Sequence, residues 1–157
     1  DAKTDFNIDD IDHVIDQCVF AIPSFATAGG PFAGHHGKIE NHELLTTPAH
    51  HAALATLYSA LMIDYCLGMI GAVGPLILDG PFAQNALLCQ ILALFRAEQP
   101  VHIASGSGGT SYGAALLALA ENDTLAPDEL LHEIDRELTG ARYTNYRHQW
   151  FLRLPAR

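Results

Sequence analysis

Residues Gly74 to Ala120, GPLILDGPFAQNALLCQILALFRAEQPVHIASGSGGTSYGAALLALA, decide how this chain folds. An apolar strand at Leu76–Leu78 runs into a turn at Gly80-Pro81, where Pro81 is expected to take the first helical position. Leu87, Leu88, Ile91, Leu92 and Phe95 follow at three- and four-residue steps and predict a helix with one buried face. Pro100 ends the connection and Val101–Ala104 is the next strand. A glycine-rich loop from Ser105 to Gly109 then opens a small-residue helix through Gly113-Ala114-Ala115. Strand, helix and strand in this order predict a parallel βαβ crossover and an α/β fold. Both glycine turns lie where a strand gives way to a helix, the place where α/β sheets hold their ligands.

Upstream, the stretch Pro48 to Ile70 predicts a long helix, with Thr47 as its cap and Gly71 as its stop. Leu54, Leu57, Tyr58, Leu61, Met62, Tyr65 and Met69 mark its buried face, which is expected to lie against a sheet. A shorter helix is expected over Asn7–Cys18, capped by Asn7 or Asp9, with acids in its first turn. Val19–Ile22 reads as a strand ended by Pro23, and Ala28–Gly37 (AGGPFAGHHG) as a loop. Downstream, Pro127-Asp128-Glu129 predicts a last helix with Leu130, Leu131, Ile134 and Leu138 inward and Gly140 at its end. Tyr143–Arg157 mixes aromatics with arginines, and both an edge strand and a partner-facing arm are open for it.

The chain has 157 residues, 49% of them hydrophobic and 17% charged, which is enough for one packed domain. Its formal charge of −10 and its two lysines, Lys3 and Lys38, argue against a nucleic-acid surface, which needs clustered cations. Cys18, Cys66 and Cys89 are scattered through apolar runs without CxxC spacing, so buried, reduced thiols in a cytoplasmic protein are expected. No basic-then-apolar leader is visible. Asp64 interrupts the most apolar run, Ala52 to Leu78, and Gly74-Pro75 breaks its end, so no membrane span is expected there.

Glycine turns ahead of helices bring backbone N–H groups to anions, yet neither the P-loop pattern nor the dinucleotide fingerprint is present. The third glycine of the latter is replaced by Ser111. His35-His36 and His50-His51 invite a metal reading, but no HExxH or Cys/His ligand spacing accompanies them. No GxSxG nucleophile motif is found either.

Taken together, Asp79-Gly80-Pro81-Phe82-Ala83-Gln84-Asn85, the later Gly113-Ala114-Ala115 and the long helix before them resemble the C-terminal domain of the FGGY family of carbohydrate kinases. In that family a strand leads into an Asp-Gly-Gly-x-x-x-Asn turn and helix. The resemblance covers residues 19 to 121. It implies an actin-like, ribonuclease-H-like α/β fold, a mixed sheet flanked by helices, with residues 1–157 as the ATP-side domain of a longer kinase. The early part of that domain and the N-terminal domain would lie outside this chain.

The resemblance also implies ATP-dependent phosphorylation of a sugar or polyol hydroxyl. The adenosine contacts carry over to Gly80, Pro81 and Asn85, with Gly30 and Gly109 as further cofactor-binding candidates in glycine loops facing the cleft. Pro81 departs from the family's second glycine and removes a backbone N–H. No catalytic residue is expected within this chain, and Mg2+ would be held mainly by the other domain, so the chain alone is expected to be inactive. Sugar and ATP are the expected partners, with no nucleic acid or membrane and a homodimer left open. Two rivals stay open, a non-catalytic actin-like regulatory or assembly module and an unrelated α/β protein for a phosphorylated ligand.

Overall fold

A computed structural model of the chain describes residues 5–104, 131–134 and 138–156. The expected Ser105 loop, the Gly113-Ala114-Ala115 helix and Gly109 lie outside the described residues.

Helix α1, Ile8–Asp16, starts on a reciprocal capping box. The Asn7 side chain accepts from the Asp9 and Asp10 N–H groups, and Asp10 accepts from the Asn7 N–H. Two orphan donors of the first turn are satisfied at once, which selects Asn7 over Asp9 as the cap. Ile11, Val14 and Ile15 form its buried face. Strand β1, Phe20–Ile22, is wholly buried and pairs antiparallel with β2, Lys38–Glu40. The connecting loop contains Gly29, Gly30 and Gly34 at positive φ and is pinned by Phe32, which is buried with its ring 4.9 Å from that of Tyr65.

Helix α2, Pro48–Met69, begins as expected, with the Thr47 hydroxyl accepting the His50 N–H and Pro48 in the first turn. Ile70 caps its C-terminus and Gly71 follows at φ 65°, a conformation in which glycine meets no steric penalty. The helix has 22 residues and is long and apolar enough to cross a membrane by length and composition. Within this fold it packs mainly on the helices α1 and α3, with β1 as a lesser neighbour, so its expected sheet partner is largely replaced by helices. Leu54, Leu57 and Leu61 are buried as expected; Met69 is exposed, and buried Thr56 and Asp64 are polar members that the apolar pattern hides.

Strand β3, Leu76–Leu78, and β4, Val101–Ala104, pair in parallel with Leu76 opposite Val101, Ile77 opposite His102 and Leu78 opposite Ile103. Helix α3, Ala86–Phe95, makes the crossover and buries Leu88, Ile91 and Leu92. The βαβ unit therefore forms where the sequence places it.

Two segments differ from expectation. Leu131–Glu133, expected in a helix, is strand β5, antiparallel to β4 with Ala104 opposite Leu131. The free edge of β4 offers unpaired backbone groups, and a strand satisfies them where a helix leaves them open. The segment expected as an edge strand or arm is helix α4, Ala141–Leu152, and Gly140 precedes this helix rather than ending an earlier one. Tyr143, Tyr146 and Trp150 stand at i, i+3 and i+7 on its buried face. The Tyr146 hydroxyl donates to the Val19 carbonyl at 2.5 Å and the Trp150 indole N–H to the Ala21 carbonyl at 2.7 Å, fastening α4 to β1.

The main core joins α1, β1, α2, α3 and α4; a smaller one lies under the three-stranded sheet around Leu76, Ala93 and Val101. Of the cysteines, Cys89 alone is buried, and burial pushes its thiol pKa up; Cys18 and Cys66 are exposed, against expectation.

Candidate functional site

The turn after β3 is built around its own acid. Asp79 Oδ1 accepts the Gly80 N–H at 2.7 Å, and Gly80 takes φ 73°. A Cβ on Gly80 would meet nothing within 4 Å, so the backbone conformation, rather than space, calls for glycine. Asp79 thus supports the turn, as a strand-end acid should.

Residues Gly80–Gln84 form a 3-10 turn, and α3 begins only at Ala86. Pro81 is therefore the second residue of a short tight turn and not the first of the α-helix. The helix cap is Asn85, whose Oδ1 accepts the Leu88 N–H at 3.1 Å while its Nδ2 donates to the Thr56 hydroxyl at 3.1 Å. The spacing of Asn85 three residues before Leu88, with small Ala86 between, carried a capping signal that the motif reading passed over.

Pro81 and Asn85 line a cleft of about 320 Å³ together with Gln84, Ala86 and Leu87, and with Asp5 and Phe6 from the start of the chain. Gly80 adjoins this cleft in sequence without lining it, and Gly30 lies exposed in the loop before β2, also outside its lining. The structure thus brings together two of the expected site residues and adds Asp5, Phe6 and Gln84.

The turn itself offers the cleft few backbone donors. The Gly80 N–H is taken by Asp79, Pro81 has none, and the Asn85 N–H goes to the Phe82 carbonyl. Apolar faces of Phe6, Pro81 and Leu87 border it, with two side-chain amides and one carboxylate. That set suits a planar heterocycle and hydroxyls, and the first turn of α3 adds the Ala86 and Leu87 N–H groups, which have no acceptor within the helix.

Among the described residues no three His, Cys, Asp or Glu side chains converge as metal ligands. His35 and His36 are exposed. The His50 ring stacks on His13 at 3.9 Å, and its Nδ1 accepts the Thr46 N–H, while His51 Nδ1 bonds the Thr47 carbonyl. These rings finish the first turn of α2 and its packing on α1.

The family model of the FGGY carbohydrate kinase C-terminal domain matches residues 1–127. No curated protein matches the chain. A solved carbohydrate kinase from Novosphingobium aromaticivorans is similar in structure, with a TM-score of 0.79 at 24% identity. The likeness covers 94% of this chain and 31% of that one, so the chain spans about a third of that enzyme's length. At this identity the match speaks for the fold, and it bears out the actin-like, ribonuclease-H-like α/β class. With 127 of its 157 residues inside the family model, the chain belongs to the FGGY family of carbohydrate kinases, by its C-terminal domain.

Proposed function

We propose that this chain supplies the adenosine side of the nucleotide cleft in an ATP-dependent sugar or polyol kinase. The observation that carries the reading is the cleft that Pro81, Gln84 and Asn85 line beyond the C-terminal end of β3, together with Phe6 and Asp5. Phe6, Pro81 and Leu87 would flank the purine, Gln84 and Asn85 would offer amides to its edge or to the ribose, and Asp5 would accept from ribose hydroxyls. ATP would supply the phosphoryl group, with Mg2+ held mainly outside this chain. Transfer depends on positioning and on charge stabilisation from both sides of the cleft, so the chain alone should be inactive. The proposed setting is the cytoplasm, where thiols stay reduced.

Family membership sets aside the unrelated phospho-ligand reading. The non-catalytic actin-like reading draws on Pro81, which costs the turn an N–H that a second glycine would retain.

The test uses the intact protein. A screen for ADP release across pentoses, hexoses and polyols should find a substrate, and Gln84→Ala should then raise the KM for ATP several-fold with little change in that for the sugar. Pro81→Gly should lower the KM for ATP. Unchanged ATP constants in both variants would remove this cleft from the nucleotide site, and no phosphorylation of any sugar would favour the non-catalytic reading.

A further inference from the structure

Away from that cleft, one buried carboxylate holds two arginines. Asp64, on α2, is 1% exposed. Its Oδ2 accepts from Arg147 Nε at 2.6 Å, and its Oδ1 lies 2.7 Å from Arg96 Nε, an ion pair set off the hydrogen-bond axis. The two guanidiniums are themselves largely covered, with 15% of the Arg96 and 34% of the Arg147 side chain exposed. Two positive charges against one negative leave one in excess at a partly desolvated place, which is costly unless something compensates it. The carboxyl end of α2, worth about half a negative charge, reduces the excess without cancelling it.

The two arginines differ in what they have left to give. Arg96 spends Nη1 on the Gln99 side chain and Nη2 on the Asp64 carbonyl. Arg147 spends only Nε, and its terminal nitrogens have no protein partner among the described residues. Its guanidinium is instead held between the rings of Phe95, at 5.8 Å, and Phe151, at 5.0 Å. A guanidinium fixed by two rings and one carboxylate keeps its fork ready at little entropic cost. Arg147 and Phe151 line two adjoining clefts, one of about 260 Å³ with Arg96, Gly68 and Met69, the other of about 560 Å³ with Thr144, Asn145 and His148. Among the described residues, Asp64 is the only acid in either lining.

We propose that Arg147, backed by Arg96, binds a small oxyanion, a phosphate or carboxylate group, between the last turns of α2 and the helix α4. The bidentate fork of Arg147 matches such an anion, and Thr144, Asn145 and His148 supply further donors beside it. In a chain of net charge −10 this is a local excess of positive charge, so a small anion fits where a large polyanion would be repelled elsewhere.

The test is thermal unfolding of the intact protein in inorganic phosphate or acetate against chloride at matched ionic strength. Binding should raise the Tm by about 2 °C or more at saturating anion, and the anion that acts identifies the ligand group. Arg147→Lys keeps a cation for Asp64 but loses the fork, and should abolish the rise, whereas Gln84→Ala, in the other cleft, should retain it. Hydrogen exchange on the unmutated protein should slow over residues 64–69 and 141–152 when the acting anion is added. No anion-specific rise, a rise kept in Arg147→Lys, or protection confined to other segments would overturn the proposal.

Discussion

Asn85 Nδ2 donates to the Thr56 hydroxyl at 3.1 Å, tying the turn after β3 to the middle of α2. The residue expected to touch adenosine is thus also a structural fastener, and its two roles separate by substitution. Asn85→Ala removes the α3 cap and the partner of buried Thr56, and should cost about 1–2 kcal/mol in denaturant unfolding. Asn85→Asp keeps an acceptor for both the Leu88 N–H and the Thr56 hydroxyl, and should stay within about 0.5 kcal/mol of the parent. A loss of nucleotide affinity in Asn85→Asp at parental stability would then report contact with ATP rather than damage to the fold.

Removing the buried carboxylate is expected to be more severe. Asp64→Asn leaves Arg96 and Arg147 facing each other without a counter-charge, and should destabilise by about 3 kcal/mol, at the low end for a broken buried pair because both arginines keep some solvent. Equilibrium unfolding in urea gives the value directly. A loss below about 1 kcal/mol would show that solvent already screens the cluster.

Helix α4 is held to β1 by two buried hydrogen bonds, so its aromatic residues should matter far more than their position near the chain end suggests. Tyr146→Phe leaves the Val19 carbonyl without its donor and should cost about 1–2 kcal/mol. Trp150→Ala, which also opens a cavity in the core, should cost about 3–5 kcal/mol. Both are read from the unfolding midpoint at constant slope.

Alkaline pH should unfold the protein through the same helix. Burial pushes the Tyr143 and Tyr146 hydroxyls well above the ordinary tyrosine value, and for Tyr143 the bond to the Asp12 carboxylate adds to it. A folded-state pKa raised above the unfolded one contributes stability that is complete below the unfolded value, about 10, and is lost as pH rises beyond it. Tyrosinate absorbance should therefore show two groups that ionise only together with loss of the far-ultraviolet helical signal above about pH 10. Two early, reversible ionisations in the folded protein would contradict the burial of α4.

Much of the site was legible because its signals are local. Leu76–Leu78, the glycine at Gly80 and the apolar steps of α3 each state their conformation within a few residues, and the crossover follows from their order. What the motif did not disclose is the division of labour within the turn. Asp79 and Pro81 withhold the N–H groups that make most glycine turns anion sites, and Asn85 caps a helix that starts at Ala86 rather than at Pro81.

The sequence by itself determined the α/β class, the long α2 and the family, through periodicities and turns that need no distant partner. Tertiary structure alone decided the rest. Leu131 and Ile134 fit a helix by spacing, yet the open edge of β4 draws Leu131–Glu133 into the sheet. Tyr143, Tyr146 and Trp150 become a core face because Asp12 of α1 and the Val19 and Ala21 carbonyls, at and just before β1, lie beneath them. Asp64 reads as a break in an apolar run until Arg96 and Arg147, 32 and 83 residues away in the chain, meet it in space. In each case the energy that selects the conformation resides in a contact between residues far apart in sequence, which no local pattern records.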